Sequence, residues 1–185
     1  DMGIGFGDET TPGIDVMTPD PAFILNQIDR LSGLVVTHAH EDHLGAVPYL
    51  WDKIRCPIYA TPFACGLLRR KLEGSTLLNE LDLIEVPVAG GVDIGPFAVD
   101  FRPAAHSVPE ANILAIRTDA GTIIHATDWK IDPKPLIGRV TDEGALRRLG
   151  DDGVLALVCD STNVFVDAEA GSEAALRKSL IELIG

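Results

Sequence analysis

The chain has 185 residues, 46% of them apolar, with 28 acidic against 15 basic side chains and a formal charge of −13. A chain of that length buries roughly 70% of its unfolded surface, so neither a disordered polypeptide nor a disulfide-stapled miniature is expected. The acidic balance argues against diffuse attraction to nucleic acid or to anionic membranes, and any polyanionic substrate would need local positive charge.

Apolar runs such as Val154 to Cys159 span six residues, far short of the roughly 20 needed to cross a bilayer, and no charged-then-apolar leader opens the sequence. Cys56, Cys65 and Cys159 are odd in number, lack C-x-x-C spacing and lie in apolar surroundings. Buried free thiols in a reducing cytoplasm are therefore expected, with no membrane partner. Because the first residue is Asp1 rather than Met and a helical pattern runs into Gly185, the sequence also reads as a piece of a longer polypeptide.

In chain order, Gly7 to Asp20 reads as a loop, Pro21 to Leu31 as a helix and Leu34 to Thr37 as a strand. Ala46 to Lys53 reads as a helix, Pro57 to Thr61 as a strand, Pro62 to Leu72 as a helix and Leu83 to Val88 as a strand. Strands are then predicted over Phe97 to Pro103, Ile113 to Thr118, Thr122 to Ala126 and Val154 to Cys159, with helices over Glu143 to Leu149 and Ser172 to Ile184. Pro or a polar cap opens several of these helices, and Gly, Pro and Asp bound the strands. Asp119-Ala-Gly121 lies between two apolar runs and predicts a tight hairpin, so part of the sheet is antiparallel. A layered α/β sandwich with mixed sheets fits this order.

Chemistry concentrates in Thr37-His-Ala-His-Glu-Asp-His43, just after an apolar strand. Three imidazoles and a carboxylate crowded there would repel and desolvate one another unless a cation sat among them. In extended chain His38 and His40 face the same side, and a turn into a helix would swing Asp42 and His43 elsewhere, so one segment can seed two metal sites. The chain has five histidines; the remaining two, His106 and His125, each close an apolar strand. His106 reads as a further ligand. Alternation past His125 puts Asp128 on the side of Ala126, where it could join a ligand cluster.

The series His38-x-His40-x-Asp42-His43, then His106, then Asp128, resembles the metal-binding series of the metallo-β-lactamase superfamily. Further matches run in order along nearly the whole chain: Asp1-Met-Gly3, Pro12-Gly-Ile-Asp15, Thr37 to Tyr49, His106-Ser-Val-Pro109, Asp128-Trp-Lys-Ile-Asp132, Asp160-Ser-Thr-Asn163 and Ser172-Glu173. Together these resemble ribonuclease J and its β-CASP nuclease relatives.

The resemblance implies an αββα sandwich with mixed sheets, incomplete at both ends, with residues 1–185 as part of one catalytic domain. It puts His38, His40 and His106 on one zinc ion and Asp42 and His43 on the other, with Asp128 bridging. Asp1 would buttress the site from behind the ligands. Mn²⁺ could stand in for zinc. In the family the last ligand histidine comes after an inserted β-CASP domain, and no histidine follows His125 here, so the second zinc ion's ligand set would be incomplete in this chain. Thr127 stands where the family usually has Gly, and Glu110 where Asp is usual. The activity implied is metal-dependent hydrolysis of RNA phosphodiesters, exonucleolytic or endonucleolytic, by an activated water, with Asp42 and Asp128 catalytic. The partners implied are RNA and further copies of the chain. Arg69-Arg-Lys71 and Arg147-Arg148 are candidate local phosphate contacts, against the plainer reading of solvated helix faces. The rival function is hydrolysis of a lactone or thioester by a small-molecule enzyme of the same superfamily. Ser161 has neither a spare histidine nor a nucleophile elbow, so a covalent serine mechanism is not expected.

Overall fold

A computed structural model describes all of residues 1–185, which form two compact units, Asp1–Pro87 and Val88–Gly185. The first unit opens with a two-stranded antiparallel ribbon, β1 (Gly5–Phe6) and β2 (Val16–Met17). The helix α1 (Ala22–Leu25) follows, then a 3₁₀ turn at Ile28–Arg30. Three parallel strands, β3 (Leu34–Val36), β4 (Ile58–Ala60) and β5 (Leu83–Glu85), make the sheet of this unit in the order β3-β4-β5. Parallel neighbours need crossover connections. These carry α2 (Glu41–Leu44) and α3 (Val47–Ile54) between β3 and β4, and α4 (Pro62–Lys71) and α5 (Leu77–Glu80) between β4 and β5. Val36, Leu44, Ala46, Val47, Ile58, Ala60, Ala64, Cys65 and Leu68 are fully buried there.

The second unit is built on five strands in the order β10-β9-β8-β7-β6. These are β6 (Gly91–Ile94), β7 (Phe97–Pro103), β8 (Asn112–Thr118), β9 (Gly121–Ala126) and β10 (Ala156–Cys159). The first four pair antiparallel and β10 joins β9 in parallel, so this sheet is mixed, as expected. The predicted hairpin turns at Asp119 and Ala120, with Thr118 registered opposite Gly121. The helix α6 (Glu143–Asp152) packs Leu149 into a cluster of Ala104, Ile113, Ala115, Ile124 and Ala126. The helix α7 (Glu173–Ile184) closes the chain.

Several expectations need correction. The Gly7 to Asp20 segment is not all loop, because its end folds back as β2 on β1. Pro21 to Leu31 is two short pieces rather than one helix; α1 buries no residue, so no packing holds a longer amphipathic turn together. The strand β6 and the short helices α2 and α5 were not foreseen. Cys56 and Cys65 are buried and form no disulfide, but Cys159 is exposed, because β10 is an edge strand with every residue open to solvent. No helix is long and apolar enough to cross a membrane.

Candidate metal centre

The strand β3 delivers the histidine-rich segment, and the backbone switches conformation within it. His40 is extended, with φ −75° and ψ 156°, and caps α2, its carbonyl accepting from the N–H groups of His43 and Leu44. His38 and His40 thus lie in the bend between β3 and α2 rather than on continuous extended chain, while Asp42 and His43 ride on the first helical turn as expected. Buried Leu44, Ala46 and Val47 anchor the far side of that turn.

Asp1 contacts the candidate-ligand segment at three points. Its Oδ1 accepts the Thr37 backbone N–H at 2.7 Å. Its Oδ2 accepts the Thr37 hydroxyl at 2.8 Å and faces His43 Nδ1 at 2.8 Å. The Thr37 hydroxyl, which donates to Asp1, also lies 3.1 Å from His38 Nδ1, so the Nδ1 atoms of His38 and His43 are both engaged from the Asp1 side. This leaves Nε2 of each ring as the atom on the far side, the arrangement in which an imidazole ligates a metal while its other nitrogen is held by a carboxylate or hydroxyl. His38 Nε2 lies 3.2 Å from His40 Nδ1, and His43 Nε2 lies 3.5 Å from Asp42 Oδ2. Asp42 itself is exposed.

A glycine makes this approach possible. Met2 N–H donates to the His43 carbonyl at 2.7 Å and Ile4 N–H to the Glu41 carbonyl at 3.0 Å, so the segment runs flush against α2. A Cβ on Gly3 would fall 1.7 Å from the Asp42 carbonyl oxygen, inside any permitted contact. Lys71 pairs with Glu41 at 2.6 Å on the same turn.

In the second unit, His106 follows the end of β7 and Asp128 follows β9. His106 Nε2 stands 3.4 Å from Asp128 Oδ2, so these two predicted ligands are adjacent. Asp160, beyond β10, accepts from the hydroxyl and backbone N–H of Thr162; these bonds, the hydroxyl's first, hold its carboxyl below the usual carboxylate range. Ser161 begins a turn closed by Val164 N–H on its carbonyl, which agrees with a structural role. His125 lies within the β9 ladder, opposite Leu114 and Val158.

Two residues with evident structural roles beside the ligands escaped the sequence reading. Thr37 contacts Nδ1 of His38, and Thr141 joins the segments carrying His106 and Asp128. A threonine beside a histidine carries no pattern by itself, and Thr141 is 13 residues past Asp128. Glu110 adopts φ +59°, a left-handed conformation that Asp tolerates better than Glu, so the departure at that position falls where the backbone is particular.

Imidazoles held on one nitrogen beside carboxylates are the donor chemistry of a divalent metal site, and they fit such an ion. A family model described as a beta-lactamase superfamily domain matches residues 10–144. The chain belongs to the beta-lactamase superfamily. Among curated proteins it is similar to Ribonuclease J of Sinorhizobium meliloti, 41% identical over 184 residues, covering 100% of this chain and 33% of the relative. Ribonuclease J of Corynebacterium glutamicum is 42% identical, covering 100% of this chain and 26% of the relative. Ribonuclease J of Thermus thermophilus is 34% identical, covering 100% and 34%. The chain thus spans about a third or less of the length of these superfamily relatives, and the resemblance read from its motifs is borne out.

Among solved structures, a protein of unknown function from Enterococcus faecalis superposes with a TM-score of 0.56 at 18% identity, over 82% of this chain and 38% of that one. A HARLDQ-motif mutant metallo-beta-lactamase from Cronobacter sakazakii gives 0.51 at 16%, over 75% and 62%. These share the metallo-β-lactamase fold expected for the chain.

Proposed function

We propose that this superfamily chain is the metal-binding part of a ribonuclease that hydrolyses RNA phosphodiesters, with both units belonging to one catalytic domain. The observation that carries this reading is the Asp1–Thr37–His38 and Asp1–His43 network, which holds one nitrogen of each imidazole and leaves the other for a cation. End-to-end similarity to proteins named Ribonuclease J supports RNA over a lactone or thioester as substrate. In this reading His38, His40 and His106 serve one zinc ion, Asp42 and His43 a second, and Asp128 both. When bound, such ions supply Lewis acidity, a lowered water pKa and positive charge toward phosphate. The chain's own work is then positional. Asp1 and Thr37 hold the imidazoles as electron-pair donors, and exposed Asp42 is open to accept a proton from water. A cytoplasmic setting and assembly into dimers or tetramers belong to the same proposal.

The test is digestion of 5′-monophosphorylated RNA beside its 5′-triphosphate twin by the full-length protein, with Zn²⁺ or Mn²⁺ and with chelator. Metal-dependent decay is expected, and Asp42→Ala should abolish it and reduce bound metal while leaving the circular dichroism spectrum unchanged. Intact RNA in the presence of a metal-loaded protein would move the small-molecule hydrolase to the front.

A further inference from the structure

The segment after β9 and the segment after β7 meet at one backbone bridge, Ala105 opposite Lys130. His106 is the next residue after Ala105, and Asp128 lies two before Lys130, so this bridge sets how the two side chains stand to each other. An antiparallel bridge of the hydrogen-bonded kind exchanges two N–H···O bonds. Here Lys130 N–H donates to the Ala105 carbonyl at 3.1 Å. The return path runs through a side chain: Ala105 N–H donates to Thr141 Oγ1 at 2.9 Å, and that hydroxyl donates to the Lys130 carbonyl at 2.7 Å.

The hydroxyl has one proton to give and accepts one, so its orientation is fixed. Thr141 is buried and is itself held, because the next residue, Asp142, donates its N–H to the Pro103 carbonyl at 3.1 Å and caps α6 through its side chain. Since α6 is packed on the sheet through Leu149, the inserted hydroxyl is referenced to the core rather than to a mobile loop.

We infer that Thr141 is a positioning residue, its hydroxyl wedged into the Ala105–Lys130 bridge to set the separation at which His106 and Asp128 take a divalent cation. The inference rests on the reading of those two residues as metal ligands. A valine has the shape of threonine without the hydroxyl, and would leave Ala105 N–H and Lys130 C=O facing an apolar methyl. A serine would keep both bonds.

The experiment is Zn²⁺ affinity, measured by competition with a chromophoric chelator, in full-length protein carrying Thr141→Val, Thr141→Ser or His106→Ala, below each variant's unfolding temperature. Thr141→Val should weaken Zn²⁺ binding about 10- to 100-fold, the usual cost of losing a group that orients a ligand, while Thr141→Ser stays close to the parent. In turnover, Thr141→Val should lower kcat at saturating Zn²⁺ with little change in KM. Parent-like affinity in a folded Thr141→Val, or failure of serine to preserve binding, would overturn the inference. If the valine variant does not fold, Thr141→Ala removes the same two bonds and carries the same comparison with serine. Unchanged Zn²⁺ binding in His106→Ala would overturn the ligand reading itself, which is thereby separated from the role of Thr141.

Discussion

Asp132 shows how a carboxylate outside the ligand set governs this region. Its side chain is buried, and its two oxygens accept the backbone N–H groups of Glu173 at 2.9 Å and Lys134 at 2.8 Å. Lys130 Nζ lies 3.2 Å from it and 3.4 Å from Glu173, whose carboxylate also accepts Leu136 N–H at 2.8 Å. These partners, the Glu173 N–H foremost, pull the Asp132 carboxyl below its ordinary 3.8 against the opposing effect of burial. A folded-state value below the unfolded one means that the stabilisation is present above about pH 4 and lost as pH falls through the lowered value. Asp132→Asn should therefore flatten the acid limb of the stability profile, read as the urea midpoint between pH 5 and 2. An acid limb of unchanged slope would show that other carboxylates carry it.

At the scale of elements, legibility followed length and burial. The strand β7 alternates toward the core through Val99, Phe101 and Pro103, and its predicted bounds coincide with the observed ones. By contrast β1 and β2 are two residues each with no buried residue, so no apolar alternation marks them; their pairing is a tertiary event. In the candidate site, the four candidate ligands between His38 and His43 were legible because they crowd into six consecutive residues at a strand end. His106 and Asp128 were named from resemblance and strand ends, since what joins them is a bridge and a hydroxyl distant in sequence. Caps were legible too. Asp142 Oδ1 accepts Ala145 N–H at 2.9 Å, satisfying an orphan donor at the start of α6. Asp142→Ala should cost about 1 kcal/mol in denaturant unfolding, the usual loss for such a cap. A loss below a few tenths would mean that solvent replaces the carboxylate there.

Across the whole molecule the formal charge is −13. In the two candidate basic clusters, three of the five side chains are ion-paired. Arg69 pairs with Glu85 at 2.6 Å, Lys71 with Glu41 at 2.6 Å and Arg147 with Glu143 at 3.0 Å. Pairs this exposed contribute at most about 1 kcal/mol to folding, but they do neutralise the field an RNA would meet. On the proposed ribonuclease reading, Arg69→Ala and Arg147→Ala should therefore each shift RNA affinity by less than about twofold, whereas loss of a direct phosphate contact would also reduce its salt dependence. A larger shift with a reduced salt slope would place these arginines on the RNA after all.

The open edge at β10 also governs how the chain behaves in a tube. Leu157 and Val158 are 62% and 52% exposed on a strand whose outer backbone groups have no ladder partner within the sheet, and α7 adds Leu183 and Ile184 at 83% and 82%. Such an edge is a template for strand addition by any chain that meets it. Produced by itself at high concentration, this polypeptide would be limited by precipitation rather than by unfolding, and a solubilising fusion or an added charge on β10 would extend its useful range more than any gain in core stability.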